Sequence, residues 1–284
     1  TLSIVQGISE FLPISSSAHL NIVQVIFDFN SNSLMIDVSL HLGSLLAIIF
    51  YFKKELLNLG NNQKLLSMII IGSIPIIIAG YTLSTVGLVI LLENNLKIIA
   101  WTTLIFAIIL YFADKSSMDK KISANLNLKT ILYIGLFQIL ALIPGVSRAG
   151  ITITASRLLK FNRFDSSKIS FLLAIPAIAG ASVFQLKDYI GQNFEINYLI
   201  LVSITLSFLF SYFTIKFFLK YISKFSLNVF IIYRIIISII LFIIIYNYTG
   251  LQIKINVSYI KYSPLLPQYG IELVAWKSQG QLTQ

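Results

Sequence analysis

The stretch Gln6-Gly7-Ile8-Ser9-Glu10-Phe11-Leu12-Pro13-Ile14-Ser15-Ser16-Ser17-Ala18-His19 lies at the centre of an otherwise apolar segment, residues 1 to 27. Pro13 cannot continue a helix, because it lacks an N–H and its ring collides with the preceding turn. The serines after it are natural caps for a new helix. Neither half is long enough to cross a ~30 Å hydrocarbon core, which takes about 20 helical residues. The spacing therefore predicts a re-entrant helix pair, entering and leaving on one side. Pro144-Gly145-Val146-Ser147-Arg148-Ala149-Gly150 breaks residues 129 to 160 in the same way and predicts a second pair.

Around these two hairpins the chain is 57% hydrophobic and 11% charged, with mean hydropathy +0.86. A soluble domain carries roughly 25% charged residues, so the fold class is all-α and polytopic in a membrane. Six full spans are expected at about 34 to 52, 67 to 92, 97 to 113, 169 to 187, 197 to 218 and 228 to 248. Residues 1 to 249 form the membrane domain. In the remaining tail, 250 to 284, Leu251, Ile253, Ile255 and Val257 alternate with polar residues and suggest a short strand before Pro264 and Pro267. The chain begins at Thr1 with neither a basic n-region nor a cleavage site, so no signal peptide is expected, and residues ahead of Thr1 are. With no cysteine and two histidines, thiol chemistry and a His-rich zinc site are excluded. The net charge of +10 reads as loop lysines of a membrane protein, and nucleic acid is not an expected partner.

The halves resemble each other at an offset of 131 residues: Pro13 and Ser16 match Pro144 and Ser147, and Ser39-Leu40-His41-Leu42 matches Ser170-Phe171-Leu172-Leu173. Repeat one covers about 1 to 113 and repeat two about 129 to 248, each a re-entrant pair followed by three spans. An odd number of crossings inverts the second copy, which places a site at the repeat interface near the midplane. On this topology fourteen lysines and arginines, from Lys53 to Lys224, fall on one side and only Lys97 and Lys187 on the other, apart from three tail lysines. The basic side is then cytoplasmic. The first hairpin enters from outside, the second from the cytoplasm, and both chain ends lie outside.

Of eleven acidic residues, Glu10 alone is expected deep in an apolar segment. An ionisable group there costs a few kcal/mol and is by default functional. Gln6 shares its helix face. Ser15, Ser16 and Ser17 lead into the half-helix carrying His19, whose N-terminal N–H groups and dipole suit a phosphate. In the second hairpin Gly145 allows close backbone approach, Ser147 and Arg148 stand at a half-helix start, and Thr152 adds a hydroxyl one turn later. Arginine's planar fork binds phosphate oxygens bidentately. Arg234, one and a half turns from the cytoplasmic end of the last span, reads as a snorkelling side chain. His41 reads as structural. Tips meeting at the midplane would surround one polar pocket with Glu10, Ser16, His19, Ser147 and Arg148, suited to an anionic head on a hydrophobic tail.

The motif from Gln6 to His19, together with Pro144 to Gly150 and Thr152, closely resembles the bacterial undecaprenyl-diphosphatase family linked to bacitracin resistance (the UppP/BacA type), over about residues 1 to 248. That family usually has Pro-Gly-x-Ser-Arg-Ser, so Ala149 departs from its pattern. The resemblance implies hydrolysis of undecaprenyl diphosphate to the monophosphate in the bacterial cytoplasmic (inner) membrane, with the active site open to the outer, periplasmic face, recycling the carrier for peptidoglycan and cell-wall synthesis. It implies a divalent cation, Mg²⁺ or Ca²⁺, held by Glu10 with the Gln6 carbonyl oxygen, because hard cations take oxygen ligands. Glu10, Ser16, His19 and Arg148 are the catalytic candidates, and Ser15, Ser17, Gly145, Ser147, Arg148 and Thr152 the phosphate-binding ones. His19, Ser16 and water all remain open as nucleophile. The expected partners are the lipid substrate and membrane lipids; the sequence neither requires nor excludes a homodimer.

Two other readings compete. An inverted repeat with a midplane site also suits a lipid or anion transporter or flippase, although that likeness is architectural. The other large lipid-phosphatase family needs a histidine downstream of its Ser-Arg motif, and none follows Arg148 in this chain.

Overall fold

The computed structural model describes residues 1–27, 34–60, 62–86, 95–115, 120–187 and 198–262. Ten helices of eight residues or more occur among them: α1 Leu2–Ser9, α2 Ser16–Phe27, α3 Leu34–Tyr51, α4 Gln63–Thr85, α5 Leu96–Lys115, α6 Leu128–Gln138, α7 Arg148–Leu158, α8 Arg163–Lys187, α9 Tyr198–Ile222 and α10 Asn228–Tyr262. No strand occurs among the described residues beyond the single bridge Lys120–Phe161. Five helices, α4, α5, α8, α9 and α10 up to Tyr246, are long and apolar enough to cross a membrane. Their outward faces are as apolar as the core: Ile70, Ile74, Ile77 and Ile78 on α4 and Ile232, Ile236, Ile239 and Ile243 on α10 are all exposed. That distribution suits hydrocarbon as the surrounding solvent.

Several expected boundaries move. α8 begins at Arg163, six residues before the expected start, and takes Arg163 and Lys168 into its first turns. α4 begins at Gln63, while the expected continuation of that span over 87 to 92 lies outside the described residues. The strand expected at 251 to 257 is not formed: those residues are helical, continuing α10 to Tyr262. No proline or glycine pair interrupts the chain between Asn228 and Tyr262. Propagating an existing helix adds one hydrogen bond per residue fixed, whereas a lone strand gains none. The stretch containing Pro264 and Pro267 lies outside the described residues. The chain divides into two units, Thr1–Leu241 and Phe242–Gln284, and both hairpins lie in the first.

The two hairpins are built from short pieces. α1 has 8 residues, α2 has 12, and α6 and α7 have 11 each, so none exceeds about 18 Å at 1.5 Å per residue. α1 stops at Ser9, four residues before Pro13, where the proline ring would meet the preceding carbonyl. α6 tightens into the 3₁₀ turn Ile139–Leu142 before Pro144. Ser15 (φ 71°) and Ser147 (φ 68°) each hold a left-handed conformation immediately before α2 and α7. The structural counterparts at the tips are thus Ser15 and Ser147, rather than Ser16 and Ser147 as the 131-residue offset has it. The second tip carries one more residue between its proline and its helix.

The halves exchange partners. α1 of the first hairpin packs on α9, and α6 of the second packs on α4. Both crossings are made close by glycine. A Cβ on Gly7 would come within 2.8 Å of Phe210, and one on Gly135 would run into the backbone of Gly72. α3 and α9 are joined by buried hydroxyls, with Ser44 Oγ 3.1 Å from Ser207 Oγ and 3.0 Å from Ser211 Oγ, the kind of small-residue and hydroxyl packing that holds helices together without a hydrophobic drive. Phe11, beside Glu10, inserts edge-on against Phe171 at 5.5 Å between ring centroids and anchors the first tip in the main apolar cluster.

Candidate active site

The two tips touch. Arg148, the first residue of α7, donates Nη2 to Glu10 Oε1 at 2.9 Å. Gly145 N donates to Ser17 Oγ at 3.2 Å. Glu10 is almost wholly buried, and its other oxygen, Oε2, accepts from Gln6 Nε2 at 2.9 Å and Ser16 Oγ at 3.2 Å. The carboxylate is therefore held by an arginine, an amide and a hydroxyl, which is what keeps a charge tolerable away from water. Two polar atoms are left over. Arg148 Nη1 and Gln6 Oε1 are buried and have no hydrogen-bond partner.

His19 lies one turn into α2. Its Nδ1 is 2.6 Å from Ser15 O, and since a carbonyl only accepts, Nδ1 carries the proton. In the neutral ring Nε2 then holds the lone pair, and it faces the Tyr233 hydroxyl at 2.8 Å. The two rings are parallel within 5°. The His19–Tyr233 contact is exposed, whereas the Gln6–Glu10 contact is buried.

Of the expected phosphate ligands, Ser15 Oγ lies 3.1 Å from Ser17 Oγ, and both serines are at the first tip. The Ser147 hydroxyl is occupied as the cap of α7, accepting from Gly150 N at 3.1 Å. Thr152 is not brought to the cluster: it is fully buried, with its hydroxyl 2.8 Å from Arg148 O and 2.6 Å from Ser170 Oγ on α8. Gly145 holds φ 88°, and a side chain there would strike Thr102 Oγ1 and come within 2.6 Å of Ile99 O.

Three neighbours stand outside the expected set. Arg234 does not snorkel. It is completely buried, and its guanidinium donates Nη2 to Gly145 O at 3.0 Å, Nη1 to Val146 O at 3.1 Å and to Pro13 O at 3.4 Å, and Nε to Thr103 O at 3.3 Å. One side chain thus ties the carbonyls of both tips to α5. Gly150 makes room for it, since a Cβ there would sit 2.8 Å from Arg234 Nη1. His41 Nδ1 lies 3.3 Å from Gln6 Nε2 and so borders the Glu10 cluster. Tyr233 joins through His19. Arg234 is visible in the sequence as a cation inside an apolar run, whereas His41 carries no such signal, because no spacing rule connects it to Gln6.

Fold and site together define a multi-pass membrane protein of apolar helices in which a buried Arg148–Glu10 pair, with Gln6 and Ser16, lies where its two broken hairpins meet. The chain belongs to the family described as Bacitracin resistance protein BacA, which matches residues 1–240. It is 85% identical over 209 residues to the undecaprenyl-diphosphatase of Pelagibacter ubique (strain HTCC1062), covering 74% of this chain and 82% of that protein. It is 37% identical over 225 residues to that of Alteromonas mediterranea, covering 73% and 83%, and 42% identical over 203 residues to that of Elusimicrobium minutum, covering 66% and 74%.

Proposed function

We propose that Arg148 and Glu10 bind and orient the diphosphate of the substrate and that Ser16 and His19 carry out its hydrolysis. The protein is a phosphatase that converts undecaprenyl diphosphate to undecaprenyl phosphate and inorganic phosphate, the activity carried in the names of its relatives; resistance to bacitracin is consistent with its family. The observation that carries the site reading is the half-used fork of Arg148. Nη2 is fixed on Glu10, while Nη1 is buried and unpartnered. An orphaned guanidinium nitrogen is costly unless an anion completes it.

On this reading the phosphoryl group sits on Arg148 Nη1 and the backbone N–H groups that open α2 and α7, donors aimed at charge that develops in the transition state. Ser16 Oγ passes its proton to Glu10 Oε2 as it attacks the terminal phosphorus, and Glu10 returns that proton to Ser16 when the phosphoserine is later cleaved. The bond to the bridging oxygen breaks, and undecaprenyl phosphate leaves with the electron pair. His19 Nε2 takes a proton from the water that then cleaves the phosphoserine, releasing inorganic phosphate and freeing Ser16. A divalent cation, Mg²⁺ or Ca²⁺, supplies charge neutralisation for the diphosphate when bound. Glu10 and the orphaned Gln6 Oε1 are the residues that would hold it. No cluster of three His, Cys, Asp or Glu side chains occurs among the described residues, and an ion held by Glu10 and Gln6 would take further oxygen ligands from the substrate phosphates.

The membrane arrangement we propose has six spans and two re-entrant pairs in an inverted repeat, with the lysine-rich side in the cytoplasm and the site open to the outer face of the inner membrane. The short half-helices and the reciprocal α1–α9 and α6–α4 packing support it. The test is phosphate release from undecaprenyl diphosphate by purified protein, with and without EDTA, for wild type and Arg148→Ala. Release that needs the cation and collapses in the variant is expected; release unchanged in a folded Arg148→Ala protein would overturn the site.

A further inference from the structure

Arg157 lies nine residues after Arg148 on α7, about 14 Å further along at 1.5 Å per residue. It opens a separate polar region. A cavity of about 500 Å³ is lined there by Asp114, Lys115, Arg157, Arg163, Lys224 and Phe225, among others, a size that suits a small ligand or headgroup. Asp114 is buried and saturated. It accepts from Arg163 Nε at 2.9 Å and Nη2 at 3.0 Å, from Leu227 N at 3.2 Å, and pairs with Arg157 Nη2 at 3.0 Å. One carboxylate therefore answers two arginines, and Lys115 and Lys224 add two further charges at the rim. No other acid lines the cavity among the described residues.

Arg157 itself is 2% exposed. Nη1 donates to Phe161 O at 2.9 Å and Nη2 to Asp114 O at 2.9 Å, while Nε is buried with no partner. Arg157 is thus a buried cation with an unpartnered N–H, beside the partly exposed Arg163 and the exposed Lys115 and Lys224, a setting that an entering anion would complete. Phe164 and Phe225 lie exposed at the same cavity, with Ile222 behind them. Polar cations within and aromatic rings at the lip match an amphiphile whose phosphate enters and whose apolar part stays outside.

We propose that this cavity is a second anion site, distinct from the hydrolytic one, that takes the phosphate group of an anionic phospholipid. Neither the metal nor the chemistry at Glu10 enters the inference, and it stands whether or not Ser16 is the nucleophile. Asp114 is the floor of the site and Lys115 and Lys224 are its adjustable charges.

The test titrates detergent-purified protein with phosphatidylglycerol or with phosphatidylcholine of the same chain length, read by native mass spectrometry. A parallel arm follows the thermal midpoint in inorganic phosphate. The variants are Lys115→Gln/Lys224→Gln, which leaves the Asp114 pairs intact, and Lys53→Gln/Lys64→Gln, which removes two charges elsewhere. Wild type and the Lys53/Lys64 variant are expected to prefer phosphatidylglycerol by on the order of tenfold, and the Lys115/Lys224 variant to lose that preference, with phosphate release from undecaprenyl diphosphate unchanged. Stabilisation by inorganic phosphate that the Lys115/Lys224 variant loses, without a lipid preference, would support the anion site and assign it to free phosphate. Equal lipid preference in all three proteins with no phosphate effect overturns the site, as does equal loss in both variants.

Discussion

Arg148 Nη2 stands 2.9 Å from Glu10 Oε1, a pair that joins the two hairpin tips across 138 residues of sequence while leaving Nη1 unpartnered. A lysine at this place could keep the ion pair, but as a point charge it offers no second planar arm to a phosphate. Arg148→Lys is therefore expected to fold with a thermal midpoint near wild type and to lose about 10²- to 10³-fold in kcat, the size seen when one transition-state donor is removed. Arg148→Ala should fall further, because it also strands the Glu10 charge. Steady-state phosphate release beside a thermal melt of each variant separates the two effects.

Arg234 holds the tips rather than the substrate. Its four carbonyl partners, on Pro13, Thr103, Gly145 and Val146, would all lose a donor in Arg234→Met. Each buried polar group left unsatisfied costs about 1–3 kcal/mol. The variant is expected to melt well below wild type, and Arg234→Lys, with three donors and no fork, to lie between them. If Arg234 were a snorkelling side chain, Arg234→Met would melt like wild type.

That contrast shows where sequence reasoning succeeds and where it stops. Glu10, Pro13 and Pro144 were legible because each breaks a rule its neighbours obey: a charge in hydrocarbon, or a helix breaker in a helix-length apolar run. Arg234 breaks the first rule too, but its distance from the helix end offered an escape to the interface, and only the placement of α10 against both tips shows that the escape is not used. His41 stands alone on an apolar face, which points to a structural role, and its contact with Gln6, 35 residues away, lies beyond any helical spacing. Arg157 counts among the fourteen basic residues of the cytoplasmic side, and nothing in the sequence links it to Asp114, 43 residues upstream, with which it is buried. The alternating residues 251 to 257 misled in the other direction. A period of two over seven residues is a weak signal beside an uninterrupted helix leading into it.

The hydroxyl of Tyr233 is 2.8 Å from His19 Nε2, the nitrogen left with the lone pair. Tyr233→Phe removes that bond but keeps the stacked ring. If His19 acts as the base for the second half-reaction, loosening its orientation is expected to slow turnover by about tenfold, within the range for general-base contributions, and to let a phosphoenzyme accumulate. Acid treatment distinguishes the nucleophile: a phosphoserine at Ser16 survives it, whereas a phosphohistidine at His19 does not. His19→Ala should trap the Ser16 adduct in largest amount. An acid-labile adduct in Tyr233→Phe, located at His19, would transfer the nucleophile's role from Ser16 to His19.

Gly145 joins backbone conformation to catalysis most directly. Its φ of 88° is one that a side chain adopts at a cost of about 1–2 kcal/mol, and an added Cβ would strike Thr102 Oγ1 and approach Ile99 O to 2.6 Å. Neither obstacle is a flexible chain end. The second tip must shift away from α5, and with it move the Gly145 N bond to Ser17 and the Gly145 carbonyl held by Arg234. Gly145→Ala is expected to lower the melting point by several degrees and to reduce kcat by more than tenfold, since a displacement of about 1 Å at a positioning element can cost 10²-fold. Gly60→Ala is the matched control, because a Cβ there meets nothing within 4 Å; it should leave both quantities unchanged. Wild-type turnover in Gly145→Ala would mean that the Arg148–Glu10 pair holds its geometry without the contact between Gly145 and Ser17.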